Sequence, residues 1–127
     1  MTEKQIETLI IDYINALPNG YAIKLNSGNI LKTTYNQGYP VKRYNIKLAP
    51  EGSGDIAACI NGRYIACEVK KSPKEIEIWY RQKDRRSQAQ WFELERVSNA
   101  GGLAFIVSSL DEFIELYEKE VKNNSSS

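Results

Sequence analysis

The sequence predicts a single α/β domain in which a mixed central sheet is flanked by helices. Residues 2–17 place apolar side chains along one face of a helix. Two short apolar runs flank Asn61-Gly62, a pair that favours a tight β-hairpin. The apolar run LAFIV lies between two further helical segments. With 127 residues the chain has the length of one domain, so we assign residues 1–122 to it and expect a disordered tail over 123–127.

The first helix is expected over residues 2–17, because Thr2 and Gln5 have the spacing of a capping box and Pro18 to Gly20 interrupt the pattern. Residues 21–26 predict a strand, and 26–28 a turn. Residues 29–49 fit either an irregular segment or a second short hairpin. Gly52 to Gly54 predict a tight turn into the next strand.

Residues 55–60 and 63–70 form the predicted hairpin, and 71–86 follow as a basic excursion with no assigned element. A helix is expected from Ser87 to Asn99, with Ser87 and Gln90 spaced as a capping box and Gly101-Gly102 as its end. Residues 103–107 predict a buried strand, and 109–121 a last helix. The expected order is therefore α-β-(loop)-β-β-α-β-α.

Composition excludes several classes of protein. The hydrophobic share of 42% allows a packed core, and no apolar run has the length of a membrane span. The opening MTEKQIETLI does not have the pattern of a signal peptide. Two cysteines, Cys59 and Cys67, favour a reducing compartment, so we expect a cytoplasmic location in a microbe or its virus. The absence of histidine excludes histidine-based zinc sites, and the absence of a P-loop argues against a nucleotide cofactor.

Charge is unevenly distributed along the chain although its net value is only +1. Residues 24–47 contain bases and no acid, and residues 70–86 hold seven bases against three acids. Residues 93–122 reverse the balance, with seven acids against three bases. This polarity fits a surface with one face for a polyanion. Solvated loops and an ordinary charged helix would explain it equally well.

The predicted hairpin brings two carboxylates together. If Asn61-Gly62 is a two-residue turn, Ile60 faces Arg63 and the pairing extends to Asp55 opposite Glu68. Strand alternation then places Asp55, Glu68 and Lys70 on one face. The apolar side chains share the other face: Ile56, Ala58, Ile60, Ile65, Cys67 and Val69.

Opposed carboxylates are destabilising unless they are neutralised, and a divalent cation would neutralise them. In the alternative interpretation Lys70 only forms a salt bridge with either acid. The same spacing recurs in Glu120-Val121-Lys122, which we interpret as an exposed helix surface.

Together these segments resemble the PD-(D/E)XK nuclease signature and, more narrowly, the small stand-alone, phage-type VRR-NUC proteins similar to Holliday junction resolvases. The resemblance covers most of the chain. It consists of Glu3, Asn26-Ser27-Gly28, Gly52 to Asp55, Gly62-Arg63, Glu68-Val69-Lys70, Ser87 with Gln90, and Ala100 to Phe105. Gly54 replaces the motif's proline, and residues 71–86 are longer than the family's usual link.

The resemblance implies a restriction-endonuclease-like αβββαβ core and a Mg²⁺- or Mn²⁺-dependent endonuclease acting on DNA, in a bacterial cell or a phage-infected host. Asp55, Glu68 and the carbonyl of Val69 would bind metal, and Lys70 would be the catalytic lysine. Glu3 would be a further acid near the metal.

Two of these residues have competing interpretations. By helical angle Glu3 lies within the apolar face of the first helix, so it is expected to point inward, with Glu7 as the substitute. It could equally be an acid favoured by the helix dipole. Gln90 is a candidate catalytic residue, but as the third residue after Ser87 it could simply complete a cap.

The basic segments supply candidate contacts to the DNA backbone, which give affinity with little sequence specificity. These residues are Lys42, Arg43, Lys71, Lys74, Arg85 and Arg86. Aromatic residues among them (Tyr35, Tyr39, Tyr44, Trp79 and Tyr80) either contact nucleic acid or form a small packing cluster.

Branched or junction DNA is the expected substrate, cut by a homodimer that presents two sites to two strands. Three alternatives remain: restriction-type cleavage of duplex DNA, a non-catalytic DNA-binding or anti-defence protein on a nuclease-like fold, and an interaction domain in which the motif is coincidental.

Overall fold

A computed structural model of the protein describes residues 1–25, 29–47, 55–82 and 84–125. The helices within these ranges are α1 (Glu3–Ala16), α2 (Pro73–Arg81), α3 (Arg85–Asn99) and α4 (Leu110–Ser125). The strands are β1 (Gly20–Lys24), β2 (Asn29–Asn36), β3 (Tyr39–Lys47), β4 (Ile56–Ile60), β5 (Arg63–Val69) and β6 (Leu103–Val107). The predicted α/β class is confirmed. The turns predicted at 26–28 and 52–54 lie outside the described residues.

A mixed four-stranded sheet runs in the order β1-β4-β5-β6. β4 pairs antiparallel with both β1 and β5, whereas β6 lies parallel to β5. Strands β2 and β3 form a separate antiparallel hairpin, which decides between the two interpretations of residues 29–49. Its turn contains Gln37 and Gly38, both at positive φ.

The main core lies between one face of the sheet and helices α1 and α4. The apolar face predicted for the β4–β5 hairpin is buried there, with Ile56, Ile65 and Cys67 fully enclosed. The alternation of side chains along each strand therefore separates this core from the opposite face, where Glu68 lies.

Helices α2 and α3 cover part of that opposite face. Trp79 from α2 and Leu94 from α3 pack against Ala66 of β5, with partly buried Ala104 and Ile106 beside them. This second cluster is small, so the face beneath α2 and α3 has room for polar side chains as well as apolar ones. Strand β5 is consequently buried on both faces near its end.

Helix α2 lies within the basic segment 71–86, for which the sequence predicted no helix or strand. Its signals are local: the Ser72 side chain accepts a hydrogen bond from the Glu75 amide, and Pro73 occupies the first turn, where its missing amide hydrogen costs nothing. The predicted cap of α3 was also wrong. Asp84, not Ser87, caps that helix, through its carboxylate and the Ser87 amide at 2.8 Å.

Other boundaries agree more closely with the predictions. The capping box of Thr2 and Gln5 is present at the start of α1. Helix α4 continues to Ser125, into the segment where a disordered tail was expected, because no glycine or proline interrupts it.

Cys59 and Cys67 are both free thiols. In the part of the chain that the structure describes, no helix has both the length and the apolar character needed to cross a membrane.

The β4–β5 turn is expected to be sensitive to a side chain at Gly62, which has φ +80°. We expect Gly62→Ala to lower the free energy of unfolding by about 1 kcal/mol, because a Cβ is strained in the left-handed region. Asn61→Gly is the matched control and should change stability little, since glycine tolerates the φ of 52° found there. Urea denaturation measures both. Equal stability of Gly62→Ala and the wild type would contradict the expectation.

Candidate active site

The β4–β5 register is the one predicted from the sequence. Ile60 pairs with Arg63, and the ladder continues to Ile56 opposite Cys67. Asp55 lies one residue before β4, where its Oδ2 accepts a hydrogen bond of 2.8 Å from the Val69 amide. Its carbonyl oxygen accepts another from the Leu25 amide at 2.9 Å. These two bonds hold Asp55 against the end of β5, next to Glu68.

Glu68 is the most enclosed of the predicted site residues, with 3% of its surface exposed. Its Oε1 accepts a hydrogen bond of 2.8 Å from Nε2 of Gln90 and lies 3.4 Å from Nζ of Lys70. Lys70 is less buried, with 17% of its side chain exposed, so its ammonium group lies between the buried carboxylate and solvent. The structure thus brings Asp55, Glu68, Lys70 and Gln90 together.

Gln90 is held in place by Trp79. The indole Nε1 of Trp79 lies 2.5 Å from Oε1 of Gln90, and both side chains are buried. An indole nitrogen can only donate, so the Gln90 oxygen must face Trp79 and its amide hydrogens must face Glu68. Gln90 therefore donates to the carboxylate and plays no part in capping α3. Lys70 Nζ also lies 5.8 Å from the centre of the Trp79 ring, within the range of a cation–π contact.

Burial makes the two carboxylates hard to ionise. Burial raises the pKa of Glu68 to about 8; the charge of Asp55 adds to this rise, and Lys70 opposes it. The pKa of Asp55 is also raised, chiefly by burial, although its hydrogen bond from the Val69 amide works in the other direction. Two neighbouring carboxyl groups with raised pKa values on one buried surface are a feature of functional sites.

Of the two acids on α1, the structure buries Glu7, whereas the sequence predicted Glu3 as the inward one and Glu7 as its substitute. Glu3 is exposed, whereas Glu7 is buried with 6% of its surface accessible. The helical-angle prediction for Glu3 was wrong: Glu3 is the first residue of α1, and its side chain is exposed among the described residues. Both charges raise the pKa of Asp55, and that of Glu7 has the larger effect.

Glu7 has an incompletely satisfied carboxylate. Its Oε2 lies 3.1 Å from Nζ of Lys24, in an ion pair that the sequence did not predict. Among the residues that the structure describes, the same buried oxygen has no hydrogen-bond donor of acceptable geometry. A buried carboxylate oxygen without such a partner is costly, so Glu7 is a candidate to interact with a cation or with water at this site.

The donors at the site are hard oxygen ligands. Asp55 and Glu68 contribute carboxylates, and Val69 lies between Glu68 and Lys70, with its amide already bonded to Asp55. Among the described residues, no group of three or more His, Cys, Asp or Glu side chains is arranged to hold a metal ion. Mg²⁺ usually keeps several waters and needs only one or two protein carboxylates. The donor set therefore fits Mg²⁺ or the similar Mn²⁺.

The predicted DNA contacts belong to different elements of the fold. Lys71, Lys74, Arg85 and Arg86 are exposed, before and within α2 and at the start of α3. Arg86 is near enough to Glu68 for its charge to lower that pKa. Lys42 and Arg43 lie on β3, away from these helices in the chain, and only their backbone is described.

Trp79 contributes to the site through its hydrogen bond to Gln90, a contact that the sequence did not predict. It was interpreted as either a nucleic-acid contact or part of a packing cluster, and its burial confirms packing. Its role could only have been recognised once α2 was known, because the helix turns Trp79 inward while Tyr80 stays exposed.

No protein-family model matches this chain, and a search of curated proteins found no match.

We expect the stability of the metal-free protein to depend on pH through Glu68. Its pKa is about 8 in the folded state against an ordinary 4.5, so between these values the folded protein keeps a proton that the unfolded chain releases. The free energy of unfolding should therefore fall as pH rises from about 5 to about 8, by a few kcal/mol. Urea denaturation in the presence of a chelator measures this. Glu68→Gln should flatten the slope, whereas Glu118→Gln, an exposed acid on α4, should keep it. Equal slopes in all three proteins would show that Glu68 is not the cause.

Trp79→Phe should destabilise the protein by about 1–3 kcal/mol, because it leaves the buried Gln90 oxygen without a donor. Part of that loss comes from the smaller ring, so a double-mutant cycle with Gln90→Met is needed to isolate the hydrogen bond. The two losses should be clearly less than additive. Trp91→Phe, at a half-exposed position on α3, is the control and should cost less. Additive losses for Trp79 and Gln90 would rule out the interaction.

Proposed function

We propose that this protein is a metal-dependent endonuclease that hydrolyses phosphodiester bonds in DNA. The observation that carries the proposal is the half-buried Asp55 beside the buried Glu68, with the Lys70 ammonium 3.4 Å from Glu68. Such a cluster destabilises a small domain, since neither acid ionises readily where it lies. A function that needs those charges explains why they are there.

Asp55 and Glu68, with the carbonyl of Val69, would hold Mg²⁺ or Mn²⁺. The bound ion would supply a strong positive charge that acidifies water and offsets negative charge on the phosphate. Glu7 is a better candidate than Glu3 for the additional acid, because it is buried and has the stronger influence on Asp55. At metal concentrations below saturation, hydrolysis should increase with pH up to about 8, since the metal must displace the proton of Glu68 to bind there.

Lys70 would act directly on the reacting groups. Its ammonium group faces solvent on one side and Glu68 on the other, so it can hold the attacking water and stabilise charge on the phosphate. Gln90 is better described as a positioning residue. It is buried on α3, donates a hydrogen bond to Glu68 and accepts one from Trp79. It would keep the carboxylate in one orientation.

The surface around the site is suited to a polyanion. Lys71 and Lys74 follow β5, which carries Glu68, and Arg85 and Arg86 are the first two residues of α3. These residues would contact the DNA backbone, and Lys42 and Arg43 on β3 remain proposed contacts. Apart from the inserted β2–β3 hairpin and α2, the elements from α1 to β6 follow the αβββαβ order expected for a restriction-endonuclease-like core of the VRR-NUC type. We propose branched or junction DNA as the substrate and a homodimer as the active form.

Cleavage of labelled duplex, flap and four-way DNA with Mg²⁺ or Mn²⁺ tests the proposal. Glu68→Gln and Lys70→Ala should each reduce the rate by at least about 100-fold, a typical contribution of one catalytic group. The chain offers a matched control in its second copy of the motif on α4, so Glu120→Gln and Lys122→Ala should cut at the wild-type rate.

Two results would overturn the assignment. If the variants at Glu68 and Lys70 cut as fast as those at Glu120 and Lys122, the active site is elsewhere. If wild-type protein binds DNA and never cuts it with either metal, the protein is a non-catalytic DNA-binding protein on a nuclease-like fold.

A further inference from the structure

A cleft of aromatic side chains adjoins the candidate active site at Trp79, the residue that contacts Gln90. It has a volume of about 260 Å³ and is lined mainly by Trp79, Tyr80, Trp91 and Phe92, with Gln82 and Gln88 as polar neighbours. We call it the aromatic cleft. Small-molecule sites usually begin at about 300 Å³, so this cleft suits one planar ring system better than a large ligand.

The rings that line the aromatic cleft are in contact with one another and present their exposed faces to it. The ring centres of Trp79 and Tyr80 are 5.0 Å apart, and each lies 6.1 Å from that of Trp91. Trp79 is buried and forms the floor. Tyr80, Trp91 and Phe92 are between 47% and 63% exposed. Single exposed aromatic residues are common, but three around one cleft leave apolar ring faces in water and indicate a binding surface.

The cleft is physically connected to the catalytic groups. Its floor, Trp79, donates to Gln90, which donates to Glu68, so two hydrogen bonds separate the cleft from the carboxylate. Trp91 is the next residue after Gln90 on α3. A nucleotide whose phosphate lies at Lys70 and Glu68 therefore has the aromatic cleft within its immediate surroundings.

We propose that the aromatic cleft binds an unpaired nucleobase of the DNA strand that is cut, which makes DNA with unstacked bases beside the scissile phosphate the preferred substrate. This inference rests on the proposed nuclease function. Bases of unpaired strands stack on aromatic side chains, whereas bases within a duplex are already stacked on each other. Gln82 and Gln88 add polar side chains to this apolar lining, and Oε1 of Gln82 accepts a hydrogen bond of 3.2 Å from the Ser87 hydroxyl.

Charge favours nucleic acid over a second copy of this chain as the occupant. Arg85 and Arg86 are exposed and directly precede Ser87, which also lines the cleft. Asp84, which directly precedes these two bases, accepts the hydrogen bond from the Ser87 amide that caps α3. In a two-fold interface centred here, the basic groups of one copy would face those of the other. A DNA strand instead brings phosphate to them.

Binding measurements in a chelator test the proposal without cleavage. The probes are a short single-stranded oligonucleotide, a strand of equal length made of abasic nucleotides, and a blunt duplex. The chain has two tryptophans, and both line the cleft. Stacking should therefore quench the protein's fluorescence with the single strand and not with the abasic strand. The single strand should bind about tenfold more tightly than the abasic one.

Trp91→Ala should remove this tenfold preference while leaving affinity for the abasic strand unchanged, and Trp91→Phe should keep most of it. Tyr21→Ala, an exposed aromatic residue on β1, is the matched control and should behave as wild type. An unchanged preference in Trp91→Ala overturns the proposal. So does a shift from dimer to monomer in that variant with base preference intact, which would make the cleft a self-association surface.

The cleavage assay separates this inference from the proposed function. If DNA is cut in a Glu68-dependent manner while Trp91→Ala binds and cuts as wild type, the cleft proposal fails and the nuclease stands. If base-dependent binding is lost in Trp91→Ala but no metal supports cutting, the nuclease proposal fails and the cleft remains a nucleobase site. If no DNA of any kind is bound at low salt, both fail.

Discussion

The buried carboxylate of Glu68 is the constraint on which the site depends. One of its oxygens receives a hydrogen bond from Gln90 and lies near Lys70, yet burial and the charge of Asp55 still raise its pKa to about 8. These neighbours therefore orient the carboxylate without fully stabilising its charge. Binding of a cation beside these two acids would therefore be favourable, because the positive charge stabilises the ionised form of both carboxyl groups.

Helices α2 and α3 act together to maintain that orientation. Trp79 comes from one and Gln90 from the other, and their 2.5 Å contact fixes which end of the amide faces Glu68. The same tryptophan packs against Ala66 and lies near the Lys70 ammonium. A single side chain thus contributes to the small second core, to the position of the carboxylate and to the floor of the aromatic cleft. A change to the floor of the cleft would therefore also disturb the position of Glu68.

Much of the site could be predicted because short-range rules apply to it. The Asn61-Gly62 turn determines the register of its two strands, and alternation then places Glu68 and Lys70 on the face opposite Ile65 and Cys67. Neither step requires knowledge of the rest of the chain. The predictions for Ser87 as a cap and Glu3 as an inward acid failed, because each relied on spacing where a neighbouring residue, Asp84 or Glu7, occupies the position.

The sequence by itself therefore determined the α/β class, the central hairpin and the alignment of Asp55 with Glu68 and Lys70, all of which follow from local backbone preferences and strand periodicity. Only the tertiary structure decided which side chains meet those groups from elsewhere in the chain. The contacts of Trp79 with Gln90 and of Glu7 with Lys24 join residues on separate elements. Such contacts depend on how helices pack on the sheet, which hydrophobic periodicity limits but does not specify.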